Sequence, residues 1–318
     1  MGTATAIAHP NIALIKYWGK RDETLMLPAA GSLSMTLDSV ATRTTVSVGG
    51  DSDVFQLNGE LSTGRAADKV FKFLDLVRQL AGSDDRATVL SHNDAPTAAG
   101  LASSASGFAA LATAAAAAYG LNLSTAELSR LARRGSGSAA RSLIDRFAVW
   151  HAGDDDQTSF AEEIDAPDMR MIICEINAGP KAVSSRDGMR HTRDTSPFYP
   201  AWAPATEKAL AEMLAACAAQ DFTKIGELTE AHAMQMHALA LSAVPPLRYL
   251  APTSFAAFDR IAELRATGIE TYGTADAGPN VVAIARPKDA AAVAAALSEF
   301  GATHIAAPGP GAYLEGAA

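Results

Sequence analysis

Residues 96–106 read PTAAGLASSAS. Leu101 is the one residue in the run that is not small. The run lies between a predicted strand over 87–91 and a predicted helix that ends near Ala118. Gly100 admits a positive φ, and small side chains let a ligand approach the backbone. The free N–H groups and dipole of the following helix start would face an anion. Two readings stand side by side: an Ala/Ser-rich packing loop, or a cradle for phosphate with Ser103 and Ser104 adding hydroxyl contacts. It is not a Walker A loop. The only Gly-Lys pair, Gly19-Lys20, has Leu14 where that motif needs its first glycine.

Outward from this run, strands are expected over 3–9, 32–37, 42–48 and 54–57, with 32–37 and 42–48 read as a pair. Asn58-Gly59 reads as a hairpin turn. A broad apolar stripe predicts a helix over 65–80. Ser124 with Glu127 forms a capping box for a helix through Leu131. A further helix over 136–144 and a strand over 147–150 complete the first half. The acidic stretch 153–167, GDDDQTSFAEEIDAP, is the expected crossing between halves, so the domains are set at 1–165 and 166–318. Beyond it, a strand over 171–176 precedes helices over 202–219, 222–240 and 254–267. Strands over 270–275 and 281–285, a helix over 289–300 and a strand over 303–306 follow. Strands and helices do not alternate cleanly, which predicts a mixed α+β fold.

Composition narrows the function. The 318 residues carry 26 Lys and Arg against 35 Asp and Glu, a net charge of −9, which is the wrong balance for a nucleic-acid groove or an anionic membrane. Apolar residues make up 48%, enough for a sizeable core. The longest uncharged, glycine-free run, 108–119, is well short of the ~20 residues a membrane span needs. Two cysteines, Cys174 and Cys217, support neither a disulfide framework nor a cysteine zinc site, so a reducing cytoplasm is expected. The first residues lack the order of a secretory signal.

Four more segments have the residue types of a site. Residues 133–141, RRGSGSAAR, imitate a dinucleotide fingerprint, but a helix rather than a strand precedes them. They read either as a capped helix start or as an anion pocket in which the planar fork of Arg141 takes a carboxylate. Residues 11–22, NIALIKYWGKRD, read as a solvated charged loop or a second phosphate site. Residues 183–196, VSSRDGMRHTRDTS, read alone as a plain polar turn. In 274–280, TADAGPN, Asp276 is a turn aspartate or a base that positions a hydroxyl. His232 and His237 are five apart, not four, so zinc-protease chemistry is unsupported, and no G-x-S-x-G elbow occurs.

Together these five segments resemble the diphosphomevalonate decarboxylases of the GHMP kinase superfamily, which is named for galactose, homoserine, mevalonate and phosphomevalonate kinases. The matching motifs run from residue 8 to residue 280. The resemblance implies an N-terminal half like ribosomal protein S5 domain 2 and a C-terminal ferredoxin-like α+β half around one cleft. It implies ATP-dependent decarboxylation of (R)-mevalonate 5-diphosphate to isopentenyl diphosphate, by way of phosphorylation at the 3-hydroxyl, in isoprenoid biosynthesis. ATP is then the co-substrate and Mg²⁺ the metal ion, the enzyme is a cytoplasmic homodimer, and nucleic acid and membrane are not partners.

By the same resemblance Asp276, Lys16 and Arg141 are the catalytic set. Tyr17, Trp18, Gly19, Lys20, Ser136, Gly137, Ser138, Ala139, Ala140, Arg141, Ser185 and Arg186 surround the substrate. Lys69, Asn93, Ala98, Ala99, Gly100, Leu101, Ala102, Ser103 and Ser104 belong to the nucleotide site, with Ser104 as a Mg²⁺ contact. A decarboxylase of the 5-monophosphate and a mevalonate 3-kinase that stops at a phosphate ester are the alternatives. A catalytically dead ligand sensor is disfavoured by the intact Asp276, Lys16 and Arg141.

Overall fold

A computed structural model describes residues 2–94, 103–176 and 183–316. The centre is a four-stranded sheet ordered Ala161–Glu163, Phe147–Trp150, Ser32–Thr36, Asn11–Ile15. Successive side chains on a strand point to opposite faces, and here both faces are covered. Ile12, Leu14, Leu33, Met35, Phe147 and Val149 enter one core, while Ala148, Trp150 and Ala161 enter another. Ser32, Ser34 and Thr36 alternate with Leu33 and Met35, and all are buried.

On the Trp150 side stands a six-stranded sheet, ordered Tyr313–Leu314, Thr3–Ala8, Thr42–Val48, Ala87–Asn93, Val54–Leu57, Glu60–Leu61. The helix Ser103–Ala118 is buried in this core, and its many alanines permit close approach to the sheet. The capping box of Ser124 and Glu127 forms as expected. On the opposite side the helices Tyr199–Ala218 and Phe222–Leu241 fill a core shared with an antiparallel sheet, ordered Thr271–Thr274, Val281–Ala285, Arg170–Glu175, Ala302–Ala306. Helices Pro252–Ala266 and Ala290–Leu297 cover that sheet's other face through Ile172, Cys174, Val281 and Ala283. The α+β expectation holds. The chain's end then returns to the first half, where Leu314 and Tyr313 pair with Ala6 and Ile7.

Four local readings change. The strands 32–37 and 42–48 are not partners: Ser32–Thr36 pairs with Asn11–Ile15 and Phe147–Trp150, and Thr42–Val48 with Thr3–Ala8 and Ala87–Asn93. Val40, at φ 62°, lies in the connection that turns the chain from one sheet to the other. Residues 11–22 are not a solvated loop. NIALI is a fully buried strand, and Lys16 and Lys20 are buried with it. The polar turn at 183–196 is a helix, Ser185–Thr195, because the Ser184 side chain accepts from Asp187 N–H and caps it. The helix at 136–144 is the tighter 3₁₀ form, Gly137–Leu143.

Candidate active site

Three elements from distant parts of the chain meet at one point. The strand Asn11–Ile15 ends just before Lys16, the strand Thr271–Thr274 ends just before Asp276, and the 3₁₀ helix carries Arg141. Lys16 Nζ donates to Asp276 Oδ1 at 2.8 Å and to the Ala13 carbonyl at 2.9 Å. An ammonium has three N–H groups, and two of them have these acceptors among the described residues. The Lys16 side chain is 2% exposed and that of Asp276 is 42% exposed, so the carboxylate is the more exposed member of the pair.

Arg141 is buried, yet it makes no ion pair among the described residues. Its Nε donates to Ser34 Oγ at 2.9 Å, its Nη1 to Ser32 Oγ at 2.5 Å, and its Nη2 to Asn11 Oδ1 at 3.0 Å. Asn11 is fixed in turn by donating to the Ser138 carbonyl and to Ser142 Oγ. The alternation of the central sheet thus supplies the seat: Leu33 and Met35 fill a core while Ser32 and Ser34 hold the guanidinium. Burial pushes Arg141 down to about 10, with Asp276 offsetting part of the loss. Burial also lowers Lys16; Asp276 opposes that shift and Arg141 adds to it. Two buried cations therefore stand in the field of one half-exposed carboxylate, which pairs with Lys16. Buried charge is costly unless it is paired, so the site fits a further anion.

A second group of cations stands near Tyr17, which feels the charges of both Arg141 and Arg186. Lys20 is buried and lies 3.7 Å from Glu23. Burial, then the charge of Arg186, lowers its pKa. Burial and the charges of Arg186, Lys20 and Arg65 bring Lys69 to about 8. Its ammonium lies 4.7 Å from the Phe108 ring centroid. Glu23 also meets Arg190 and Arg193, on the helix that begins with Ser185 and Arg186. Such a cluster in a chain of net charge −9 fits a polyphosphate.

Tyr17 packs edge-on against Trp150 at 4.8 Å, and its buried hydroxyl has no partner among the described residues. Burial raises its pKa. A Cβ on Gly137 would stand 2.6 Å from that hydroxyl, so the glycine is what admits the ring. At Gly19, φ is 113° and a Cβ would strike the Tyr199 hydroxyl. Trp18 is buried, and its indole N–H donates to Thr192 Oγ1 at 2.9 Å, which ties this loop to the helix Ser185–Thr195. Ala139 and Ala140 have their side chains in the core.

Of the expected nucleotide residues, Ala98, Ala99, Gly100, Leu101 and Ala102 lie outside the described residues. The frame around them is clear. Thr42 Oγ1 donates to Asn93 Oδ1 at 2.9 Å and meets Ser106 Oγ at 2.8 Å, so one hydroxyl ties the two ends of the segment together. Ser103 opens the helix, and Ser104 Oγ lies 3.3 Å from Ser136 Oγ. The glycine-serine segment and the helix start therefore meet. No cluster of three His, Cys, Asp or Glu able to hold a metal occurs among the described residues. The donor set fits a magnesium ion carried on nucleotide phosphates and touched by a hydroxyl, rather than one in a protein cage.

Asn11, Ser32 and Ser34 were not legible as functional. They are neutral residues in strands, and only the topology brings them to Arg141. The Asn at the head of the 11–22 segment was the single available signal.

Comparison with known proteins shows the family and the fold. Residues 8–161 match the model of the diphosphomevalonate decarboxylase-like N-terminal domain, and residues 171–307 that of the mevalonate 5-diphosphate decarboxylase C-terminal domain. The chain is 41% identical over 315 residues to a diphosphomevalonate decarboxylase of Ganoderma lucidum, covering 90% of this chain and 78% of that one. The solved mevalonate diphosphate decarboxylase of Enterococcus faecalis is 48% identical, with a TM-score of 0.93 over 98% of both chains. A solved complex of MDDEF with MVAPP, AMPPCP and magnesium gives the same figures.

Proposed function

The chain belongs to the diphosphomevalonate decarboxylase family, and on that premise we propose that it converts mevalonate 5-diphosphate and ATP to isopentenyl diphosphate, ADP, phosphate and CO₂. The observation that carries the reading is the pair of buried cations, Lys16 and Arg141, set against the single carboxylate of Asp276. A substrate carboxylate on Arg141 supplies the missing charge, and its 3-hydroxyl then reaches Asp276.

A saturated 3-hydroxy acid has no electron sink for losing CO₂. Transfer of the ATP γ-phosphoryl group to the 3-hydroxyl forms a C3–O–P ester and releases ADP, and Asp276 takes or orients the hydroxyl proton. The C3–O bond then breaks, phosphate departs, and the electron pair of the C1–C2 bond becomes the C2–C3 alkene as CO₂ leaves. Lys16 places its remaining N–H where negative charge develops. Arg141 holds the carboxylate in place through its fixed fork, with Ser136 and Ser138 alongside.

Tyr17, Lys20, Ser185 and Arg186 receive the 5-diphosphate, and Lys69, expected at the nucleotide site, is reassigned to the diphosphate because its charge is coupled to those of Arg186 and Lys20. The crowding of Lys20, Lys69, Arg186 and Arg65 favours two phosphates over one, which supports the diphosphate over the monophosphate as substrate. Residues 98–104 and Asn93 take the ATP phosphates, with Ser104 and Ser136 at the helix start. Magnesium supplies charge neutralisation on those phosphates, with Ser104 as its protein contact.

The division between halves falls at 165 and 166 in this reading. The cytoplasm is the compartment, supported by two buried free thiols, and the assembly is a homodimer, to be checked by sedimentation. No helix among the described residues is long and apolar enough to cross a membrane. The function is tested by incubating the protein with ATP, Mg²⁺ and carboxyl-labelled mevalonate 5-diphosphate, with the monophosphate and mevalonate in parallel. Equal ADP and CO₂ from the diphosphate alone is the expected result. ADP without CO₂ would make it a 3-kinase, and CO₂ from the monophosphate alone would remove Lys20 and Arg186 from their roles.

A further inference from the structure

We propose that His232 is a positioning residue for this reaction: its Nδ1 holds the backbone of Lys16, and so sets where the ammonium stands on Asp276. The inference rests on the reading of Lys16 given above. The pairing of Asn11–Ile15 with Ser32–Thr36 ends at Ile15 and Leu33, so the N–H of Lys16 lies beyond the ladder. It donates instead to His232 Nδ1 at 3.0 Å, on the helix Phe222–Leu241 in the other half of the chain. A buried N–H needs such a partner.

The ring is fixed on its other side as well. Nε2 lies 3.2 Å from Thr206 Oγ1 on the helix Tyr199–Ala218, and the Trp202 ring centroid is 4.8 Å away. His232 is 1% exposed. With Nδ1 accepting, the proton must sit on Nε2, which donates to Thr206. Burial and the charge of Lys16 hold the ring at about 3, so it stays neutral and Nδ1 remains an acceptor at working pH. The Lys16 side chain meanwhile returns to the Ala13 carbonyl and to Asp276. Two long-range attachments thus define the lysine: His232 at its backbone and Asp276 at its tip. Misplacing a reacting group by about 1 Å can cost ~10²-fold.

The histidine nitrogens can be separated by substitution. In His232→Asn the carboxamide oxygen stands near the position of Nδ1 and accepts from Lys16. In His232→Gln the carboxamide reaches the position of Nε2, keeping Thr206 but losing the acceptor for Lys16. The expected result is a kcat within about threefold of wild type for Asn and a fall of about 30-fold for Gln. KM for mevalonate 5-diphosphate should stay within about twofold in both, because the diphosphate cations are untouched. Melting temperatures should agree within a few degrees. Independently of turnover, exchange of the Lys16 amide proton should be slow in wild type and Asn, and at least about tenfold faster in Gln. A Gln variant with wild-type kcat, equal losses in Asn and Gln, or unchanged exchange in Gln would overturn the proposal. A wild type inert toward the diphosphate would overturn the functional reading instead, and the exchange comparison would still decide the His232 contact.

Discussion

Replacing Arg141 by glutamine removes the charge on which the site turns. At about 4 Å and an effective dielectric near 20, a guanidinium and a carboxylate attract by about 4 kcal/mol. Breaking a buried pair costs a similar ~3–5 kcal/mol. At about 1.4 kcal/mol per factor of ten, kcat/KM should fall about 10²- to 10⁴-fold. Stability responds differently. Arg141 sits at about 10 in the fold, well below the ordinary guanidinium range. A cation whose folded value is depressed destabilises the fold at every pH below about 10. That penalty, about 3 kcal/mol, fades only as pH rises above about 10 toward the ordinary guanidinium range. Glutamine relieves it but leaves one or two of the acceptors Asn11, Ser32 and Ser34 unmet, at ~1–3 kcal/mol each. The two effects nearly cancel, so the melting temperature should move by less than about 5 °C at pH 7. Paired calorimetry and CO₂ release test this. Turnover within tenfold of wild type, or a loss that follows a melting point lowered by more than about 10 °C, would refute the reasoning.

Asp276→Asn should lower ADP and CO₂ release together by about 10²- to 10⁴-fold, with KM for the substrate within a few-fold, measured by the same coupled assay. Lys69 is cationic below about 8 and neutral above it, so affinity for the diphosphate should weaken as pH rises from 7 to 9, by up to about tenfold per pH unit above 8. Lys69→Arg should flatten that dependence, and titration calorimetry at pH 8 should detect proton uptake on binding by wild type alone. Gly137→Ala places a Cβ 2.6 Å from the Tyr17 hydroxyl. It should raise KM about tenfold and lower the melting temperature by ~2–6 °C, from overpacking of about 1–3 kcal/mol.

Local signals were readable in the sequence and long-range ones were not. The capping box at Ser124 and the Asn58-Gly59 turn depend on residues a few positions apart, and both form as expected. Sheet partners do not follow from sequence adjacency. The segments 32–37 and 42–48 are neighbours in the chain and part into different sheets. NIALI was hidden by the charges after it, because Lys16 and Lys20 suggest solvent until the fold supplies Asp276 and Glu23 as their partners. The family motifs pointed to Lys16, Arg141 and Asp276, and the fold brings the three together. The groups that seat them, Asn11, Ser32, Ser34 and His232, carry no motif. Their importance lies in a neutral oxygen or nitrogen aimed at a buried cation or its backbone, which only the folded chain defines.

The most direct test of the account compares binding of mevalonate 5-diphosphate with its carboxamide analogue, which keeps the 3-hydroxyl and the diphosphate but lacks the carboxylate charge. Titration calorimetry would be run on wild type and on Arg141→Gln. If the substrate carboxylate answers the buried guanidinium, wild type should bind the acid at least about 100-fold more tightly than the amide, and the variant should bind the two within about threefold. A preference for the acid that survives the loss of Arg141 would contradict the account.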